Sequence, residues 1–423
     1  MNDLVRKKPL LFFCAFPIYP PHSGLDRRCL ELLKAFKNVG LNVTLCSLYN
    51  PKHGNPWGQE SIIHLQTFYV AQVRLYALTK ADRLYLKLWH LWHVLKRGSG
   101  DFSSRSIAAP GLIRWFSRLA VSLDAGAALV VYANWASLLA DLPPQVLKVI
   151  EMIDLVSLNA RMWTVADREN SGNFSALLDE NLFLRLKLEA DPEEINAYDI
   201  ADYTLAISRT EAEAVSRMTS KTKVITLPMT LEPATHVNTY RGNAIFLMGP
   251  NPFNLQGARL FIGRILPAIL LEVPEFEVSF TGFNDGLQTD SAVKLCGFVP
   301  DLEDLFIQAR FLICPVYGGT GQLVKVLEAM SHGIPAIVFR HSSHRAPIEH
   351  GIDGLIAEDS AHFARLAIRL WSNPEECRAM GAKARLKVAH QYSTRNLMEG
   401  LQPLLCDSRW RLDASPEGPA SNR

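Results

Sequence analysis

The chain has 423 residues, 48% of them apolar and 20% charged, which is long for a single hydrophobic core, so two domains are expected. Its 44 Lys and Arg against 42 Asp and Glu leave a formal charge of +2, which excludes a protein-wide basic field for nucleic acid. Seven cysteines, odd in number and without a C-x-x-C pair, argue against a disulfide framework and for buried thiols in a reducing compartment.

The N-terminal "RKKPLLFFCAFPIYPP" puts basic residues before an apolar run. That run covers only Pro9 to Phe16 and ends in prolines rather than a small-residue cleavage site, so a buried first strand is expected. No stretch approaches the roughly 20 apolar residues of a spanning helix, which points to a cytoplasmic protein. The next segment, "LDRRCLELLKAFKNVG", sets Leu30, Leu33 and Phe36 on one helical face and stops at Gly40. Strand-like "LNVTLCSLY", "AALVVYANW", "VLKVIEMID" and "ADYTLAIS" then alternate with helical patterns, the mark of βαβ units in a parallel sheet. Between them, residues 74–97 read as an amphipathic basic helix. Leu84, Leu88, Leu91 and Leu95 form one stripe, with Tyr85, Trp89 and Trp92 beside it. Such a helix packs on a sheet or lies peripherally on an anionic membrane, and both readings stay open.

From Leu227 to Gly242 the periodicity is lost and proline, threonine and glycine gather, as in an interdomain linker. The alternation restarts with "NAIFLMG", "FEVSFTG", "VKLCGFV", "RFLICPVY", "PAIVF" and "GLIAED". The expected architecture is α/β, with two Rossmann-like doubly wound halves facing across a cleft at the carboxyl ends of their strands. The domains are drawn at 1–228 and 229–390. A helix over 391–410 returns to the first domain, and 411–423 form a polar tail expected to be disordered.

The densest signal is "YGGTGQLVKVLEAMSHGIPAIVF", Tyr317 to Phe339. Three glycines let the backbone approach a ligand closely, and a helix start behind them offers free N–H groups to an anion. No acidic residue stands in "QLVK" to neutralise that end, and Lys325 reaches the same anion. A plain chain turn with a Lys325–Glu328 surface pair fits the same spacing.

"GTGQLVKVLEAMSHGIPAIV" followed by "IEHGIDGLIAED" resembles the donor-site signature of GT-B fold glycosyltransferases, in particular the retaining nucleotide-sugar family four, or glycosyltransferase group 1. The resemblance implies that Glu328 holds the donor ribose, and that Lys325 with the amides of Gly321, Gln322 and Leu323 holds its diphosphate. It also implies that Gly24 of "PPHSGLDRR" and Gly249 and Asn254 of "GPNPFNLQG" approach that diphosphate, with Asn254 also suited to capping its helix. Arg27 and Arg28 read as solvated. Phe298 and Val299 of "CGFVPDLEDLF" would lie near the nucleobase. "VVYANWASLLADLP", "VIEMIDLVSLNARMW" and "ADYTLAISRTEAEAV" extend the likeness loosely over the N-terminal half.

Two positions depart from the family. Thr320 stands where it usually carries a second Glu eight residues before Glu328, and Ile153 where many members carry a His. Asp154 is left as the candidate residue for the chemical step or for orienting a substrate. No D-x-D or His-rich pairing occurs, so no metal and no cofactor are expected. The resemblance therefore implies transfer of a hexose from a UDP- or GDP-sugar to a glycan or lipid-linked acceptor in bacterial surface polysaccharide or glycoconjugate synthesis. Nucleic acid is no partner in this reading. Two alternatives fit the same residues: a catalytically inactive GT-B-shaped partner subunit, motivated by Thr320 and Ile153, and a nucleotide-sugar epimerase.

Overall fold

Apolar runs short enough for strands and flanked by helical patterns build two separate parallel sheets. In the computed structural model, residues 7–49, 57–97, 108–171, 190–282, 287, 289–299 and 301–410 are described, and the expected tail 411–423 lies outside them. The first sheet holds β1 (Leu10–Phe13), β2 (Val43–Tyr49), β3 (Gln72–Ala77), β4 (Ala127–Val131), β5 (Leu147–Met152), β6 (Tyr203–Ala206) and β7 (Lys223–Thr226). They lie in the order β3-β2-β1-β4-β5-β6-β7, every pairing parallel. The second sheet holds β8 (Ala244–Met248), β9 (Val278–Gly282), β10 (Val293–Gly297), β11 (Leu312–Cys314), β12 (Ala336–Phe339) and β13 (Gly354–Ala357), in the order β10-β9-β8-β11-β12-β13. Strands β1, β4 and β8 are buried at every residue, as parallel strands covered on both faces must be.

In each sheet the order reverses beside the first strand, at β1/β4 and at β8/β11. A crevice opens there outside the carboxyl ends. The sheets divide between Thr226 and Ala244, the interval that holds the expected linker.

Residues 74–97 are not one helix. Gln72–Ala77 pairs with β2 as an edge strand, and the helix runs only over Lys80–Arg97. Its start is set by Thr79 and Asp82: the Asp82 amide donates to Thr79 Oγ1 at 3.1 Å and the Thr79 amide to Asp82 Oδ2 at 3.0 Å. The leucine stripe faces away from the sheet, with Leu84, Leu88, Leu91 and Leu95 exposed at 58%, 59%, 57% and 77%.

Arg28, read as solvated, is fully buried. Its Nε donates to Glu151 Oε1 at 2.8 Å inside the first domain, and its Nη2 and Nη1 donate to the Leu227 and Pro228 carbonyls at 2.8 and 3.2 Å. The reason is the partner: Glu151, next to the last residue of β5, has no exposure, and an unpaired charge there is strongly destabilising. Glu31, one turn on, accepts from the Thr230 amide at 2.8 Å. Burial pushes its carboxyl up to about 7 against the pull of Arg28. The helix Gly24–Asn38 thus grips the chain where it leaves the first domain.

The chain crosses back near residue 392. On the helix Thr394–Leu405, Leu397, Leu401 and Leu404, with Trp410 beyond it, pack into the same core as Leu10 and Phe12 of β1. The two crossings touch: the Leu231 amide donates to the Tyr392 carbonyl at 2.8 Å, and Thr394 Oγ1 to Glu232 at 2.7 Å.

All seven cysteines are free, five of them buried. Among the described residues, no helix is long and apolar enough to cross a membrane, and no group of three His, Cys, Asp or Glu could hold a metal ion.

Candidate active site

A cavity of about 940 Å³ lies between the two sheets at their carboxyl ends. Three helix starts converge on it: Gly24–Asn38 capped by Ser23, Pro252–Leu260 capped by Asn251, and Val324–Ser331 behind Leu323. Their N-terminal N–H groups and dipoles favour an anion in this space. Gly24 sits against Val324 across the cleft; a Cβ at Gly24 would lie 3.6 Å from Val324 Cγ2.

Lys325 is a buried cation of the cavity lining, which also includes Arg27 and Arg345. Its Nζ donates to the Leu247 carbonyl at the end of β8 and to Asn254 Oδ1, each at 2.5 Å. Burial pushes the amine down to about 8, with Arg345 adding to the fall and Cys314 and Glu328 opposing it. Asn254 is not the helix cap: Asn251 is, accepting from the Asn254 amide at 3.0 Å, because it is the last extended residue before the helix. Asn254, buried at the third helical position, donates from Nδ2 to the Gly249 carbonyl and so ties that loop to Lys325. Gly249, Asn254, Gln322, Leu323 and Lys325 all line the cavity, as do Val299 and Phe298, the latter 76% exposed.

The glycine loop meets the N-terminal domain as well as the cavity, which Gly318, Gln322 and Leu323 line. Gly321, at φ +70, lies against the N-terminal domain: a Cβ there would fall 2.5 Å from the Ile153 carbonyl and 2.7 Å from Asp154 Oδ1. Its amide donates to Glu211 Oε1 at 2.6 Å, and the Leu323 amide to the Arg345 carbonyl at 2.9 Å, so neither is free for a phosphate. Gly321 and Thr320 are absent from the cavity wall. Thr320 is buried, and its hydroxyl donates to Asp154 Oδ1 at 2.9 Å. Arg345, itself buried, holds the loop from below, donating to the carbonyls of Gly318, Thr320 and Gly321 at 2.7, 2.8 and 3.2 Å.

Asp154, just after β5, reaches the cavity between these groups. Burial raises its carboxyl above the usual range, while Thr320, Arg345 and Tyr132 favour the ionised form. The Tyr132 hydroxyl lies 3.3 Å from its Oδ2. Glu211 is pushed up to about 8 by burial first and by Asp154 second, so it carries a proton at neutral pH. Glu328 faces the cavity from Val324–Ser331, and Arg27 of the opposite domain donates to its Oε1 at 2.7 Å. Arg27 is therefore paired across the cleft rather than solvated.

Arg345, Glu211 and Tyr132 escaped the sequence reading. "SRTE", Ser208 to Glu211, reads as a local capping box, and the Glu211 amide does lie 3.5 Å from Ser208 Oγ while the carboxylate serves the other domain. Arg345 carries no pattern of its own, because its partners lie more than twenty residues upstream.

Residues 242–373 match the family model described as "Glycosyl transferases group 1". Sucrose-phosphate synthase from Thermosynechococcus elongatus is similar in structure over 94% of this chain and 98% of that one, at 14% identity and a TM-score of 0.62. A variant of S. aureus TarM, in complex with Fondaparinux, alpha-GlcNAc-glycerol and UDP, is similar over 95% and 100%, at 11% identity and a TM-score of 0.64. HepE from Anabaena, in complex with UDP-glucose, is similar over 94% and 99%, at 12% identity and 0.62. No curated protein sequence matches the chain. The fold is GT-B, as the resemblance implied, and the stretch that matches the group 1 model lies in the second domain.

Proposed function

Starting from a GT-B chain whose second domain holds the stretch that matches the group 1 model, we propose that the protein transfers a hexose from a UDP- or GDP-sugar to an acceptor hydroxyl. The observation that carries this reading is Lys325, an amine without a carboxylate partner in the hydrogen bonds it makes, set where three helix starts converge. In the reaction, the bond between the sugar's anomeric carbon and the terminal phosphate oxygen breaks, and the nucleoside diphosphate leaves with the electron pair. Lys325 and the helix dipoles stabilise that charge, so no metal is required. The acceptor oxygen bonds the anomeric carbon, and Asp154 takes the hydroxyl proton. Glu328 binds the ribose hydroxyls once Arg27 releases it, and Arg27 is then free for the diphosphate. Retention of configuration follows the family resemblance.

The acceptor is a glycan or glycolipid of a bacterial surface polysaccharide pathway. The exposed leucine stripe of Lys80–Arg97, with Arg83 and Lys87 exposed beside it, supports peripheral contact with an anionic membrane at its cytoplasmic face.

The test is binding and slow hydrolysis of UDP-, GDP-, ADP- and dTDP-sugars by purified protein without added metal. Lys325→Ala and Glu328→Ala run alongside. Release of one nucleoside diphosphate by the wild type, lost in both variants, is the expected result. Binding without turnover, in the presence of candidate acceptors, would favour a non-catalytic partner subunit. Absence of nucleotide binding would refute the reading.

A further inference from the structure

The ion pair of Arg27 with Glu328, 2.7 Å long, joins the two domains inside the cavity that both residues line. Arg27 comes from the first domain, on the helix Gly24–Asn38, and Glu328 from the second, on the helix Val324–Ser331. The residue after Arg27 sets its direction. Arg28, about 100° further round the helix, is bonded inside the first domain to Glu151, Leu227 and Pro228. Those bonds hold the helix in rotation, and Arg27 is left facing the cleft.

Among the described residues, Arg27 is the one Lys or Arg that the first domain contributes to the cavity wall. It is also the one cation among them within ion-pair distance of Glu328. Lys325, three residues earlier on the helix of Glu328, bonds instead to the Leu247 carbonyl and to Asn254. Residues three apart on a helix are neighbours, so the guanidinium of Arg27 rests about one turn from that amine. The side chains of the pair are 42% and 18% exposed, so the contact is modest in strength and can be exchanged for another.

In the ligand-free protein the carboxylate that would receive a ribose is therefore already engaged. A nucleoside must break the pair and brings Arg27 no new partner. A nucleoside diphosphate breaks the same pair but carries phosphate oxygens to the neighbouring turn, and a guanidinium binds phosphate at least as well as carboxylate. One contact thus opposes the first ligand and assists the second.

We propose that Arg27 is a specificity-determining residue: it holds Glu328 in the empty site, passes to phosphate in the filled one, and so selects nucleoside diphosphates against nucleosides. The proposal rests on the glycosyltransferase reading above, in which Glu328 takes the ribose and Lys325 the diphosphate.

The experiment measures, at pH 7 and low salt, calorimetric binding of UDP and GDP to the full chain, and displacement of the bound diphosphate by uridine or guanosine. Wild type is compared with Arg27→Ala, Glu328→Gln and the double variant. Removing Arg27 strands no fully buried charge, since Glu328 is half-buried. Arg27→Ala should bind the nucleoside about two- to fivefold more tightly, the range of a partly exposed ion pair, and the diphosphate about tenfold less tightly. With Glu328→Gln already present, removing Arg27 should no longer improve nucleoside binding, while the loss for the diphosphate persists. A merely structural role for Arg27 would move both ligands the same way. Affinities that change in one direction together, or either one left unchanged by Arg27→Ala, would overturn the assignment, as would a nucleoside that displaces the diphosphate from neither protein. If neither UDP nor GDP binds the wild type, the glycosyltransferase reading itself fails, and the selectivity assignment with it.

Discussion

Gly321 shows how a single residue couples the two domains. At φ +70, with Ile153 and Asp154 closer to its Cα than a Cβ permits, it lets the loop of one domain press onto the other. Lys325, four residues later, makes a measurable prediction. Its amine is down at about 8 in the free protein, and a bound diphosphate favours the charged form, so binding takes up a proton above that pH. Nucleoside diphosphate affinity should be flat below pH 7 and fall as pH rises through about 8. Lys325→Met should lose about 1.5–3 kcal/mol of binding at pH 7 and most of that slope, as read by titration calorimetry. A wild-type affinity that does not change up to pH 9 would contradict the assignment. The loop was legible in the sequence as a place where backbone matters, since "GGTG" before a helix has few other uses. Its actual contacts were not: Asp154 and Glu211 are more than a hundred residues away, and no local spacing encodes them.

At the scale of elements, what a strand buries decided what could be read. Strands β1, β2, β4, β5, β6 and those of the second sheet other than its exposed edge strand β10 stand out as apolar runs because both faces are covered. β3 ("QVRLYA") and β7 ("KVIT") sit at the two edges of their sheet, are partly exposed and carry charges, so their pattern is weak. That is why 74–97 was read as one helix. The helix that remains, Lys80–Arg97, was legible in its periodicity, and its four outward leucines are now an element-scale prediction. Leu88→Glu with Leu91→Glu should leave folding and nucleotide binding intact. Each leucine buried at a bilayer contributes ~1.5–3 kcal/mol, so co-sedimentation with anionic vesicles should drop at least about tenfold. If wild type and variant partition alike, the stripe does not meet the membrane.

On the scale of the whole molecule, the domains meet through polar contacts: Gly321 to Glu211, Thr320 to Asp154, and Arg27 to Glu328. Glu211 makes the interface pH-sensitive. Its carboxyl titrates at about 8 in the folded chain against 4.5 ordinarily, so between those values the native state holds a proton that the unfolded chain has released. Stability from this group is complete below about pH 4.5 and is lost as pH rises through about 8. Thermal unfolding should show a fall in Tm from pH 5 to pH 8.5 that is smaller in Glu211→Gln, whose amide mimics the protonated acid. Parallel pH profiles for the two proteins would exclude this role.

The same scale gives the two chain crossings a mechanical meaning. Because Leu231 bonds Tyr392 and Thr394 bonds Glu232, the two strands that join the domains run side by side as a single seam. A body fastened along one short line keeps one easy freedom, rotation about that line, and loses sliding and twisting. Whatever opens this cleft to admit a ligand must swing about the seam like a book on its spine. On closing, the page that carries Thr320 comes back to the same line of Asp154.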